Sequence, residues 1–233
     1  MSYGQLAYGT TRFADPGARW ALVGEAAAFS DPLYSPGGDY VALTNDWACD
    51  LVRRELAGEA GPSLARRASL YEQTLLSRLE GTTLLYDGLY GTLASFELFA
   101  SKWDLDTACY LNLWVEPYLL DRHLDLGALE RELAARPAML GILRTFRETF
   151  LEAERELAAA GRLRAKNLGQ LVLDPALRFL QPGFGSEASE RRQLPRVRDA
   201  LELVLDELRA KVGRPRAVER VPFAAFTQGR SVL

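Results

Sequence analysis

Apolar residues recur every three or four positions along most of this chain, which is the period of an α-helix with one buried face. From Ser63 onward this period predicts a succession of helices with short connections. Pro137 suits the first turn of its helix and Gly161 the end of that helix. The predicted helices cover residues 64–79, 84–99, 106–120, 127–135, 137–160 and 194–212, and residues 174–193 form a loop.

The first sixty residues have a different pattern. Residues 19–24 form a short apolar run bounded by turn-forming residues, which predicts a strand, and residues 5–13 predict a second one. A stretch of small and turn-forming residues follows, and a helix begins at about Asp39. Gly58 and Gly61-Pro62 end that helix. Its apolar stripe consists of Val41, Thr44, Trp47, Ala48, Leu51 and Val52. The predicted fold class is mainly α, with short N-terminal strands.

Composition narrows the possible chemistry. The 28 basic residues are interleaved with 31 acidic ones, which gives no support to nucleic-acid binding. No run approaches the roughly 20 apolar residues of a membrane span, so we expect a cytoplasmic protein with no membrane partner. Cys49, Cys109 and His123 are the only cysteines and histidine, and we expect no metal site. Carboxylates, backbone amides or a cofactor must therefore supply the chemistry.

The segment between the strand and the next helix suggests a ligand site. A carboxylate, Glu25, follows the strand directly, and two glycines, Gly37 and Gly38, lie where the helix begins. A carboxylate accepts hydrogen bonds from sugar hydroxyls. The unpaired N–H groups at a helix start favour an electron-rich ligand edge. A polar cofactor fits this arrangement.

This segment resembles a known motif. The motif reads Gly-Asp-Ala-Ala-x-Phe-x-Asp-Pro-hydrophobic-x-Ser-x-Gly, and it is the second flavin-contacting motif of FAD-dependent monooxygenases, most closely of the tryptophan-halogenase-like branch. The close resemblance covers residues 8–56, and the remaining chain is similar to that family only in being helical. The matching residues are Gly24, Ala26, Ala27, Phe29, Asp31, Pro32, Ser35 and Gly37.

The resemblance implies a flavin site and roles for its residues. The carboxylate of Glu25, where the family usually has aspartate, would bond the ribityl chain. Pro32 would border the isoalloxazine ring, and the amides around Gly37 and Gly38 would face its N1/C2-carbonyl edge. The implied cofactor-binding residues are Gly24, Glu25, Asp31, Pro32, Ser35, Pro36, Gly37 and Gly38. No catalytic residue is assigned.

Other family features are missing from this sequence. It contains no Gly-x-Gly-x-x-Gly turn to hold the FAD pyrophosphate, no halogenase lysine in a matching position and no Trp-x-Trp-x-Ile-Pro sequence. The chain therefore resembles the C-terminal portion of such an enzyme. Residues 1–60 would be the remnant of its FAD-binding α/β domain and residues 61–233 a helical domain.

These absences imply that FAD binds weakly or not at all to the isolated chain. The implied partners are an upstream FAD-binding half, or a second copy through unpaired strand edges, and a small aromatic substrate in the full family. The alternative is a non-catalytic helical binding or interaction protein that keeps the motif as a structural corner.

Polar residues among the predicted helices are further candidates. We expect Glu116 to be partly exposed and His123 to lie at the surface or to cap a helix, in preference to a catalytic role for either. The aromatic residues between positions 85 and 118 either pack the helices together or wall a substrate pocket.

Overall fold

A computed structural model describes residues 7–33 and 35–164. The described chain is mainly α-helical, which confirms the predicted fold class. The predicted loop 174–193 and helix 194–212 lie outside the described residues. The helices are α1 (Gly37–Leu56), α2 (Gly61–Tyr86), α3 (Phe96–Tyr110), α4 (Glu116–Leu119) and α5 (Leu126–Ala159). The strands are β1 (Tyr8–Gly9), β2 (Ala14–Asp15), β3 (Trp20–Ala21) and β4 (Ala28–Phe29).

The strands form two small antiparallel pairs. β1 pairs with β4, and β2 pairs with β3. The predicted strand over residues 19–24 is reduced to Trp20–Ala21. Arg19 and Gly24 both have positive φ angles, +56° and +58°, so the backbone leaves the extended region at each end of the run.

Two helix boundaries near the start of the chain differ from the prediction. α1 begins at Gly37 and ends before Gly58, whose φ of +83° suits a helix terminus. Gly61 and Pro62 begin α2 instead of only ending α1, since proline is well tolerated in a first turn.

α2 continues through the break expected between residues 79 and 84. The break lies instead at Gly88, with φ +75°, and this divides the predicted helix 84–99. A 3₁₀ turn, Leu89–Ala94, precedes α3. The left-handed conformation of Gly88, more than the spacing of the apolar residues, therefore determines where α2 ends.

Pro137 lies inside α5, not in a first turn as predicted. α5 begins at Leu126, one residue before the predicted helix 127–135, and continues through Pro137, so it joins that helix to the predicted helix 137–160. The Asp125 carboxylate accepts a hydrogen bond from the Ala128 N–H (3.1 Å) at its start, and aspartate is a strong N-terminal cap. The predicted terminus at Gly161 is confirmed. Gly161 has φ +67°, and its N–H donates to the Ala158 carbonyl at 3.0 Å.

The chain divides into two compact units. Of the described residues, 7–33, 35–86 and 121–141 belong to unit 1, and 87–120 and 142–164 belong to unit 2. The domain boundary predicted after residue 60 remains a prediction.

The core of unit 1 centres on Trp47, which is fully buried. Its indole stacks on Tyr71 with ring centroids 5.1 Å apart, and Phe13 meets it edge-on at 5.9 Å. The indole N–H donates to the His123 carbonyl at 2.7 Å. Trp47 thus holds the N-terminal segment, α1, α2 and the turn before α5 together, with its own polar atom satisfied.

A polar network adjoins this aromatic stack. The Tyr71 hydroxyl donates to Asp50 Oδ2 at 2.6 Å, and the Arg54 Nε lies 3.0 Å from both oxygens of the same carboxylate. Arg67 lies 3.3 Å from Asp50 Oδ2. The buried Asp50 charge is therefore compensated by two guanidinium groups, as a buried carboxylate requires.

Unit 2 buries polar groups along its α3 side. Lys102 and Asp106 are almost fully buried and form an ion pair at 2.5 Å, with the ammonium 5.8 Å from the Phe146 ring centroid. α3 is followed by a π turn, Leu111–Val115, and then by α4. Within that turn the buried Asn112 amide donates to the Ala108 carbonyl at 2.8 Å.

Two expectations about polar side chains are wrong. Glu116 is fully buried instead of partly exposed, because the π turn and α4 carry it inward. His123 is also buried, with 2% of its surface exposed, since α1 holds its turn at both its backbone and its ring. The imidazole Nε2 lies 3.0 Å from Asp46 Oδ2.

The stability of the chain should fall as pH drops through the range of histidine titration. Burial lowers the pKa of His123 below its ordinary value of 6.5, although Asp46 partly offsets this. Below pH 6.5 the unfolded chain therefore binds the proton more readily than the folded chain, and the free energy of unfolding decreases until the folded pKa is passed. We expect urea denaturation at pH 7.5, 6.5 and 5.5 to show this loss.

His123→Gln is the control for this prediction, because glutamine retains a donor for Asp46 and does not titrate. Since His123 is the only histidine in the sequence, the variant should show a smaller decrease over the same range. Equal pH dependence in the two proteins would contradict the prediction.

Candidate functional site

The predicted site occupies residues 24–38, which we call the motif loop. It starts with a 3₁₀ turn, Gly24–Ala26, continues through β4 and ends in the first turn of α1. All eight predicted site residues lie on this loop, and all belong to unit 1.

Gly24 anchors the loop to α1. Its N–H donates to the Thr44 hydroxyl at 2.8 Å, and that hydroxyl donates to the Tyr40 carbonyl at 2.6 Å. Gly24 has φ +58°, and a Cβ at this position would lie 3.1 Å from Val41 Cγ2. Both the backbone conformation and the close approach to α1 therefore require glycine here.

The small residues of the motif are needed for packing. Ala27 and Ala28 are buried, and the Ala27 carbonyl accepts a hydrogen bond from the Thr10 N–H at 2.9 Å. The Phe29 ring stacks on Tyr8 with centroids 5.7 Å apart. These residues attach the loop to β1, so their match to the flavin motif has a structural explanation.

The second half of the loop is a series of turns. Asp31 Oδ1 accepts a hydrogen bond from the Leu33 N–H at 2.9 Å, and the Ser35 N–H donates to the Pro32 carbonyl at 2.9 Å. Ser35 has φ +57°, a left-handed conformation that is uncommon for serine. Pro36 is buried at the N-terminal cap of α1. Asp31 therefore shapes the turn with one of its two oxygens.

Gly37 and Gly38 differ from Gly24 because nothing in the described chain requires them. Both have helical backbone, and a Cβ at either position would meet no atom within 4 Å. Gly38 is exposed, and its N–H makes only a long hydrogen bond, 3.3 Å, to the Ser35 carbonyl. Alanine would stabilise a helix at such positions, so the two glycines leave open space at a helix N-terminus at a cost in stability.

Glu25 lies apart from these glycines. Its side chain is exposed and makes no hydrogen bond or ion pair within residues 7–33 and 35–164. Its neighbour Gly24 contacts Thr44. Thr44 lies seven residues after Gly37, and this separation corresponds to about 10 Å along the axis of α1. The structure thus brings Pro32, Ser35, Gly37 and Gly38 together at the start of α1, and Glu25 lies alongside the second turn.

The motif does not include two buried polar residues that lie in or against this loop. Thr44 holds Gly24, and the only sign of it was a hydroxyl side chain on the predicted apolar stripe of α1. Ser30 is buried, and its hydroxyl has no hydrogen-bond partner among the described residues. A single polar residue on the predicted apolar stripe is the signal that identifies Thr44, and the sequence around Ser30 carries no such signal.

The described residues contain no group of three or more histidine, cysteine, aspartate or glutamate side chains placed to hold a metal ion. No helix in the same part of the chain is both long and apolar enough to cross a membrane.

Comparisons with known proteins give one partial similarity. No protein-family model and no solved structure matches the chain. Over 66 residues it is 36% identical to the flavin-dependent halogenase malA of Malbranchea aurantiaca, a stretch that is 28% of this chain and 10% of that protein. The chain thus spans about a tenth of that relative's length. The comparison indicates a similarity to flavin-dependent halogenases over this stretch and nothing more specific.

Substitutions of glycine should have opposite effects at the two ends of the motif loop. Gly24→Ala should lower the free energy of unfolding by about 1–2 kcal/mol, because alanine resists a left-handed backbone, and the contact with Val41 adds to this. Gly38→Ala should raise it by up to about 1 kcal/mol, since the helical backbone accepts alanine. Chemical denaturation of the two variants measures both changes. A stabilised Gly24→Ala or a strongly destabilised Gly38→Ala would contradict this account of the loop.

Proposed function

We propose that this chain forms one wall of an FAD site in a flavin-dependent oxidoreductase of the halogenase or monooxygenase type. The observation that carries the proposal is the pair Gly37 and Gly38, whose Cβ positions are open and which the fold does not require. The partial similarity to a flavin-dependent halogenase supports the same function.

The start of α1 suits the electron-rich edge of a flavin. A helix N-terminus carries a partial positive charge, and α1 has 20 residues to contribute to this dipole. The N–H groups of Gly38 and Asp39 donate to the Ser35 and Pro36 carbonyls at 3.3 and 3.1 Å, so the dipole and the open space over the glycines carry the argument. Without side chains at Gly37 and Gly38, a planar ring can approach the backbone closely. When bound, the flavin would supply the redox chemistry, and these residues would orient it and stabilise negative charge at its N1/C2-carbonyl edge.

Glu25 and the proline side of the loop would complete this wall. The exposed Glu25 carboxylate is available to accept hydrogen bonds from ribityl hydroxyls, and Pro32 is exposed next to the glycine turn. Asp31 has one oxygen committed to the Leu33 N–H, so its contribution is to hold the turn in shape. Each of these groups would contact the ring or the ribityl chain of FAD, and none of them would contact its adenine.

The remainder of the FAD site would come from other protein. This sequence has no Gly-x-Gly-x-x-Gly turn for the pyrophosphate. We therefore propose a partner segment or chain with such a turn, an aromatic small-molecule substrate and weak flavin binding by this chain alone. Loss of only a few charge-assisted hydrogen bonds, at about 1.5–3 kcal/mol each, weakens binding by several orders of magnitude.

A specific observation favours the alternative, a non-catalytic helical interaction protein. The N–H groups of Gly24, Leu33 and Ser35 are all satisfied within the loop or by α1. A loop with internally satisfied hydrogen bonds is stable without a ligand, so it could persist as a structural corner after the loss of catalysis.

Flavin titration of the purified chain separates these functions. We expect the protein to purify colourless and to bind FAD and riboflavin with similarly weak dissociation constants, because its groups address only the part that the two ligands share. Quenching of flavin fluorescence measures both constants. Retention of FAD through gel filtration would show that the binding site is complete, and this would contradict the proposed division of the site. No binding of either flavin at millimolar protein would favour the alternative.

Gly37→Val tests the position of the ring. The β-branched side chain would fill the open space at the start of α1 and should abolish riboflavin binding. Gly141→Val is the matched control, because Gly141 is also helical and its Cβ would likewise meet nothing within 4 Å. Equal flavin binding by the two variants would place the ring elsewhere.

A further inference from the structure

One buried hydroxyl, that of Thr44, attaches the first turn of the motif loop to α1. It accepts a hydrogen bond from the Gly24 N–H at 2.8 Å and donates its own proton to the Tyr40 carbonyl at 2.6 Å. Because a hydroxyl has a single proton, the bond to Tyr40 leaves a lone pair for Gly24. Thr44 is fully buried, so solvent does not compete for either bond. The attachment of the loop at this point therefore depends on this side chain.

Tyr40 is held in turn by α2. Its buried hydroxyl donates to the Thr82 hydroxyl at 3.0 Å. Thr82 donates its own proton to the Arg78 carbonyl at 2.9 Å, which fixes the direction of both bonds. A chain of hydrogen bonds thus runs from Gly24 through Thr44 and Tyr40 to α2. It crosses α1 directly after the residues that begin this helix.

This chain of hydrogen bonds determines where the backbone of Glu25 lies. Glu25 is the central residue of a 3₁₀ turn that is closed by a hydrogen bond from the Ala27 N–H to the Gly24 carbonyl at 3.0 Å. The bond from Gly24 to Thr44 attaches this turn to the helix that also carries Gly37 and Gly38. The distance from the Glu25 backbone to the two glycines is therefore fixed before any ligand binds.

We propose that Thr44 is a positioning residue that makes the site selective for flavins with a ribityl chain. This inference rests on the proposed function, in which Glu25 binds the ribityl hydroxyls and the start of α1 binds the ring. A ligand can use both groups without a cost of ordering the loop only if their separation is fixed beforehand. Lumiflavin has the same ring but a methyl group in place of the ribityl chain, so it can use only the start of α1.

Binding of riboflavin and lumiflavin to the purified chain measures this selectivity. Quenching of flavin fluorescence gives both dissociation constants, and we expect riboflavin to bind roughly tenfold more tightly, as one charge-assisted hydrogen bond allows. Thr44→Val keeps the shape of the side chain and removes the hydroxyl. It should raise the riboflavin dissociation constant to that of lumiflavin and leave the lumiflavin constant unchanged. Thr44→Ser retains the hydroxyl and should keep the preference.

Thr74→Val is the matched control. Thr74 is also a fully buried threonine of unit 1, but it belongs to α2, and its hydroxyl has no hydrogen-bond partner among the described residues. This variant should bind both flavins as the unaltered chain does. Circular dichroism confirms that each variant is folded. If Thr44→Val does not fold, Thr44→Cys replaces it, because sulfur is a weak acceptor and should reduce the preference for riboflavin in the same direction.

A double substitution tests whether Thr44 acts through Glu25. Glu25→Ala alone should abolish the preference for riboflavin. Adding Thr44→Val should then change neither dissociation constant, because no carboxylate remains to be positioned. A preference that persists in Glu25→Ala, or a further loss of riboflavin affinity in the double variant, would overturn the proposal.

The possible results separate this inference from the proposed function. If the unaltered chain binds the two flavins equally, or if Thr44→Val weakens both of them equally, the ring site stands and the role of Thr44 is wrong. If the unaltered chain binds neither flavin, the proposed function is wrong and this inference is overturned with it.

Discussion

The burial of one indole, that of Trp47, determines how unit 1 is arranged. Its two ring partners come from the N-terminal segment and α2, and its N–H partner is the His123 carbonyl in the turn before α5. Because α1 carries this residue, the same contacts fix the direction in which the first turn of α1 points. The motif loop is then attached to an already fixed helix through Gly24 and Thr44, so the position of the candidate ligand-binding amides depends on the hydrophobic core.

The motif loop combines residues that serve the fold with residues that oppose it. Gly24, Ala27 and Ala28 are explained by backbone conformation and packing, and any protein with this corner would need similar residues. Gly37 and Gly38 have no such explanation, since alanine suits a helical backbone better. Gly37 and Gly38 thus lower the stability of the helix without a structural reason, in a segment whose other residues suit the fold. Residues of this kind are expected at positions that were selected for function.

The sequence was sufficient to predict the helical class, the end of α5 at Gly161 and the position of the motif loop before α1, because these depend on local period and turn chemistry. It was not sufficient to separate the buried side of α1 from its exposed side. The predicted stripe combined the buried Thr44, Trp47 and Leu51 with the exposed Val41 and Val52, because hydrophobicity alone does not show which face the chain itself covers. Pro137 was misplaced because a break was expected before it, whereas α5 runs through it and joins the two predicted helices 127–135 and 137–160.

The π turn at Leu111–Val115 makes unit 2 sensitive to chain length. A π turn contains one residue more than the α-helical turn that it replaces, and it often arises by a single insertion. Loss of one codon there would let α3 run on as regular α-helix and would rotate all following residues of the helix by about 100°. The buried Glu116 and Pro117 would then leave the interior together. A substitution in the π turn changes the contacts of one residue. A deletion there would exchange the buried and exposed sides of all the following residues to the end of α4.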